Sequence, residues 1–264
     1  MDSQILLSPE EEFIKAVLEH KGAAVTPIPR KSEQTPDFDV QFGGVNYIVE
    51  VKTRGEAEER AEARRASFLR GDVHGDSEEL KRKNTISSII ESGVVQLKAY
   101  GQADAMRVLW VHCSKPFGER YKEQFFNAFY GSTLLFDLDD RDYKVEGIYF
   151  RDSDFFRYRA TLDGAVITMD LGGGEVQIFC LANDQSAKYE AFRGSPLPQA
   201  FPVGFYDPAA KEAAGEAVVI RGAFDRRNAN VVLAHLHQLT GRKIFNMDLT
   251  HASATVAIPR GGDP

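Results

Sequence analysis

The segment from Phe38 to Thr53, FDVQFGGVNYIVEVKT, constrains the fold more than any other part of the chain. Two runs rich in β-formers, FDVQF and NYIVEVKT, flank a Gly-Gly turn with Asn46 beside it, the pattern of an antiparallel hairpin. Alternate side chains of a strand take opposite faces, so Val49 and Val51 enter a core while Glu50 and Lys52 share the other face. Asp37 follows Pro36 at the start of the first strand. Two carboxylates and an ammonium are therefore expected to converge from neighbouring strands. One reading is an ordinary solvated charge pair. The other is a divalent-cation site, because hard cations such as magnesium take carboxylate oxygens together with water and phosphate. A lysine nearby then orients the attacking water or supports charge that develops on phosphate. Asp39, two residues on, competes with Asp37 for the same role.

The elements around the hairpin are legible in part. SPEEEFIKAVLEHKG opens a helix, with Ser8 as N-cap, Pro9 at the first helical position and acidic residues in the first turn. Phe13, Ile14, Val17 and Leu18 form its apolar stripe, and Gly22 ends it. AAVTPIP reads as a strand. Residues 54–83 turn to charge and alanine, which predicts a solvated helix, a flap, or both. A helix in TISSIIESGVVQLKAYGQA, a strand in RVLWVHC, a helix in FGERYKEQFFNAFYG and a strand in STLLFDL follow. This order predicts an α/β domain over residues 1–139.

Residues 140–264 predict a separate α+β unit rich in strands, of open role. AVITMDLGGGEVQIFCLA reads as a hairpin across Gly172, Gly173 and Gly174. The alternative, a phosphate-cradling glycine loop, is disfavoured because no helix start follows it. NANVVLAHLHQLTG predicts a helix, and KIFNMDL and HASATVAIP predict closing strands. His235 and His237 are two positions apart and point different ways on a helix, which argues against a zinc pair.

A chain of 264 residues with 43% hydrophobic and 27% charged residues can bury a sizeable core. Its net charge of −7 argues against a protein that coats nucleic acid, but leaves room for an enzyme with a local basic strip. Cys113 and Cys180 sit in apolar runs and are expected as buried thiols. No apolar run reaches the roughly 18 residues of a membrane span, and MDSQILLSPEEE lacks a signal-peptide pattern. A cytoplasmic location is expected.

Glu11 on the leading helix, Asp37 after Pro36, and Glu50-Val51-Lys52, in this order, resemble the PD-(D/E)XK nuclease superfamily over residues 9–139. QLKAY adds Gln96 and Tyr100, four apart on one helix face, and looks like the Gln-x-x-x-Tyr element of the RecB-like branch. The resemblance implies a restriction-endonuclease-like core, with a central mixed sheet flanked by helices, extended by the β-rich C-terminal part. It implies Mg2+ or Mn2+ on Asp37, Glu50 and the main-chain carbonyl of Val51. Lys52 becomes the catalytic lysine, Glu11 a direct or outer ligand, and Gln96 and Tyr100 residues beside the active site. The implied activity is metal-dependent hydrolysis of phosphodiester bonds in DNA, with RNA left open, in genome defence or repair. A homodimer or a larger defence or repair complex is among the expected assemblies.

An acidic chain must hold its anionic substrate somewhere, so Lys81, Arg82 and Lys83, with Arg64 and Arg65, are candidates for phosphate contacts. A solvated helix of balanced charge is the competing account of that stretch. The rival functions are a catalytically idle nuclease fold that binds nucleic acid or a protein partner, and an α/β protein in which the motif is accidental.

Overall fold

The computed structural model describes residues 5–30, 35–80, 84–172, 174–247 and 252–257. In chain order the elements are α1 (Pro9–His20), β1 (Ala24–Pro27), β2 (Phe38–Phe42), β3 (Val45–Arg54), α2 (Glu58–Leu69), β4 (His74–Glu79), α3 (Asn84–Ala99), β5 (Met106–Cys113), α4 (Gly118–Tyr130), β6 (Thr133–Asp137), β7 (Lys144–Ile148), α5 (Asp154–Arg157), β8 (Gly164–Gly172), β9 (Glu175–Ala182), α6 (Tyr189–Arg193), α7 (Pro196–Ala200), β10 (Phe205–Tyr206), α8 (Pro208–Ala213), β11 (Ala217–Val219), α9 (Ala229–Thr240), β12 (Ile244–Met247) and β13 (Ala252–Ala257).

The architecture is α/β, with a mixed seven-stranded sheet ordered β1-β2-β3-β5-β8-β9-β10 and flanked by helices. The expected hairpin is present: β2 and β3 pair antiparallel, with Phe38 opposite Val49 and Phe42 opposite Val45. From β3 the sheet turns parallel through β5 to β8, and β8 folds back on β9. Parallel neighbours need a crossover, and α3 and α4 supply crossover segments on one face.

One face packs Val40, Tyr47, Val49, Val51 and Trp110 against Ile14 and Leu18 of α1 and Phe192 of α6. The other packs Ile48, Leu109, Val111 and Ile167 against Ile86, Ile90, Val94 and Leu97 of α3 and Phe125 and Phe129 of α4. Trp110 is fully buried, and its indole N–H is satisfied by Thr168 Oγ1 at 2.6 Å.

The boundary expected at residue 139 has no counterpart in the sheets. β8, β9 and β10 complete the main sheet, and the smaller sheet β11-β7-β6-β12 draws β6 from before residue 139 and its other strands from after it. Parallel pairing of β5 with β8 joins residues more than fifty positions apart, a link with no local signature. The charged stretch after Lys52 forms α2 and also β4, which pairs antiparallel with β13. Cys113 and Cys180 are free and buried. No described helix is long and apolar enough to cross a membrane.

Candidate active site

The site forms where β2 and β3 begin their pairing and α3 crosses above them. Glu50 and Lys52 share a face of β3, as alternation requires, but that face is covered rather than solvated. Gly93 lets α3 approach closely: a Cβ there would come within 2.5 Å of Leu109 Cδ1 and 3.4 Å of Glu50 Cγ. Glu50 is only 1% exposed as a result. The solvated charge pair is thereby set aside for Glu50.

Lys52 Nζ lies 2.6 Å from Glu50 Oε1 and donates to Gln96 Oε1 at 2.5 Å. The Gln96 amide nitrogen donates in turn to the Thr35 carbonyl at 3.1 Å, which ties α3 to the chain just before β2. Asp37 Oδ2 accepts from the main-chain N–H of Val51 at 2.7 Å, between the two motif residues of β3. Glu50 Oε2 is buried and has no hydrogen-bond donor among the described residues.

The electrostatics follow from this crowding. Burial pushes the Glu50 carboxyl up to about 8; the Asp37 charge adds to the rise and Lys52 opposes it. Burial likewise pushes Asp37 up to about 6, against the lowering effect of the Val51 N–H and with a further rise from Glu11. Two carboxyl groups are thus held together with little water around them; the Asp37 charge disfavours ionisation of Glu50, whereas the contact with Glu50 favours the Asp37 carboxylate.

Glu11 stands at the edge of this row with both oxygens engaged. Oε2 accepts from Ser8 N at 2.7 Å while Ser8 Oγ accepts from Glu11 N, a capping box that starts α1. Oε1 pairs with Arg30 Nη2 at 2.5 Å. Direct ligation by Glu11 would require release of one of these partners. Among the described residues no three His, Cys, Asp or Glu side chains are grouped to hold a metal ion. The oxygen set on offer is two carboxylates with the Val51 main chain, and the unsatisfied Glu50 Oε2 fits a hard cation.

The remaining candidates divide. Asp39 is turned away to Gln102, which donates to it at 3.1 Å. Tyr100 falls one residue past α3 and packs half-buried against the core, with no hydrogen bond into the site among the described residues, whereas Gln96 of that pair reaches Lys52. Arg64 is paired with Glu56 at 2.9 Å and Arg65 with Glu58 at 3.1 Å, so neither is an open phosphate contact as it stands. Lys81, Arg82 and Lys83 lie outside the described residues. Arg30 and Gly93 went unmarked in the sequence: Arg30 sits in a loop without periodicity, and a glycine inside a helical pattern reads as a weak helix former.

Comparison with family models, curated proteins and solved structures finds no match for this chain.

Proposed function

We propose that this chain is a metal-dependent nuclease of the PD-(D/E)XK type, with a restriction-endonuclease-like core, that hydrolyses phosphodiester bonds in DNA. The observation that carries the reading is the pairing of half-buried Asp37 with fully buried Glu50, with Lys52 on one Glu50 oxygen and the other oxygen unsatisfied among the described residues. Carboxylates crowded out of water cost stability in a metal-free protein, and the same crowding makes a ready oxygen ligand set.

Asp37, Glu50 and the Val51 carbonyl would hold magnesium or manganese. When bound, such an ion neutralises phosphate charge and lowers the pKa of water. Gln96 and Glu50 hold the Lys52 ammonium in one place, where it can donate to the attacking water or to a phosphate oxygen as charge develops. Gln96 acts through Lys52 and is a positioning residue. Arg30, 60% exposed on its side chain beside Glu11, offers a cation at the rim of the site.

The test is incubation of the purified protein with linear, circular and single-stranded DNA, and with RNA, with and without magnesium or manganese. Metal-dependent cleavage of DNA is expected, lost in Glu50→Ala. Absence of cleavage on every substrate, or unchanged cleavage by Glu50→Ala, would overturn the proposal.

A further inference from the structure

At the other end of α3 from Gln96 the molecule carries a second feature, which the proposed chemistry does not use. Ser87, nine positions before Gln96 and so ~14 Å away along the helix, donates to Asp154 Oδ2 of α5 at 3.0 Å. Beside α5 lie cavities of about 320 and 410 Å³ that share Asp152 and Arg226 in their walls. Arg157 and Arg159 complete the cationic wall of the first, and Arg151 and Arg227 that of the second. Five arginines therefore face one carboxylate, Asp152, in a chain whose net charge is −7.

Arg226 is the centre of the arrangement. It is only 6% exposed, its Nε donates to the Tyr149 carbonyl at 3.0 Å, and its Nη2 donates to the Ile220 carbonyl at 3.0 Å. Its guanidinium carbon lies 4.0 Å from the Phe156 ring centroid and 4.6 Å from that of Phe224. Tyr149, which holds Nε, has a φ of 61°, a left-handed conformation that a non-glycine residue keeps only where its surroundings enforce it.

Among the described residues Arg157, Arg159 and Arg226 make no ion pair, and Nη1 of Arg226 has no hydrogen-bond partner. Arg227, by contrast, is paired with Asp225 at 3.1 Å. Asp152 is the neighbouring carboxylate and forms no close ion pair with Arg226 among the described residues; a buried guanidinium so weakly compensated is costly, and it is the group best suited to a planar, bidentate grip on phosphate. Cavities of this size are those of small ligands.

We propose that the Arg226 cavities bind a phosphorylated nucleotide unit, either a free nucleotide or the phosphate-bearing end of a strand. The phosphate sits on Arg157, Arg159 and Arg226, and the nucleoside extends into the second cavity, which Asn127 and Asn246 help to line.

The test is equilibrium binding in EDTA, where no cleavage occurs. The probes are adenosine 5′-monophosphate and a twelve-residue oligothymidylate with either a 5′-phosphate or a 5′-hydroxyl. Arg226→Gln removes the central charge, but Arg226 also grips two carbonyls and the variant can fail to fold. The deciding variant is therefore Arg157→Ala/Arg159→Ala, at two exposed positions. It is expected to weaken the tightest phosphate-bearing probe at least tenfold with an unchanged melting temperature. Equal affinity for the monophosphate and the 5′-phosphorylated strand identifies a free nucleotide; a strand preference that needs the 5′-phosphate identifies a strand end. Equal binding by wild type and the double variant, or no binding of either phosphorylated probe by wild type, would overturn the proposal. Cleavage plays no part in the readout, so an inactive protein that still binds through these arginines refutes the proposed function and not this site.

Discussion

Glu50→Gln should stabilise the metal-free protein at pH 8. The unfolded chain ionises Glu50 around its ordinary 4.5, whereas the folded chain holds the proton until about 8. Between those values the folded state binds more protons than the unfolded state, so stability falls as pH rises through this window. Above the folded value the full cost is present, about 5 kcal/mol if Glu50 is taken alone. Part of it is repulsion shared with Asp37, and the amide of glutamine forfeits the ion pair with Lys52. A net gain of about 2 kcal/mol is expected, which for a chain of this size raises Tm by roughly 4–8 °C. Thermal unfolding of wild type and Glu50→Gln in EDTA at pH 5 and pH 8 measures it. The difference between the two proteins should be small at pH 5 and large at pH 8. Added magnesium or manganese should reverse the order at pH 8 by stabilising wild type alone. A Glu50→Gln protein that is less stable than wild type at pH 8 in EDTA would refute the view of Glu50 as a strained, buried carboxyl.

Other expectations concern neighbouring residues. Gln96→Ala should lower cleavage without a comparable loss of stability, because Lys52 loses its 2.5 Å amide partner, whereas Tyr100→Phe should leave cleavage unchanged; a reversed pattern in paired cleavage and melting assays would return Tyr100 to the site. Gly93→Ala should destabilise by about 1–3 kcal/mol in urea, since the clash with Leu109 outweighs a helix-propensity gain of about 1 kcal/mol; a more stable variant would contradict the close crossing of α3 over Glu50. Arg64→Ala should cost about 1–3 kcal/mol by leaving the buried Glu56 carboxylate without its partner, with DNA affinity and its salt dependence unchanged. A flatter salt dependence would show that Arg64 contacts phosphate after all.

The hairpin was legible because strand alternation over NYIVEVKT is local, and local patterning also placed Ser8 as the cap of α1; the place of Gln96 beside Lys52 was implied only by the Gln-x-x-x-Tyr resemblance. What covers the Glu50 face was not legible. Alternation says that a face is polar, not whether water or a helix lies on it, and the covering depends on Gly93 meeting β3 and β5. The strand β4 was hidden for a related reason: HGDSEE has neither alternation nor β-branched residues and is a strand only because β13 pairs with it. The reach of the main sheet past residue 139 rests on β5 pairing with β8, which no window of sequence contains. Arg226 lies in a loop without periodicity, and its burial comes from Phe156 and Phe224 on separate segments.

The most direct measurement titrates manganese calorimetrically into wild type, Asp37→Ala, Glu50→Ala and Lys52→Ala, with DNA cleavage assayed on the same samples. Wild type and Lys52→Ala are both expected to bind the ion, with cleavage by Lys52→Ala slower than wild type by about a hundredfold or more. Asp37→Ala and Glu50→Ala are expected to lose binding and cleavage together. Full cleavage by Glu50→Ala, or a wild-type protein that takes up no metal, would contradict a cation held between Asp37 and Glu50.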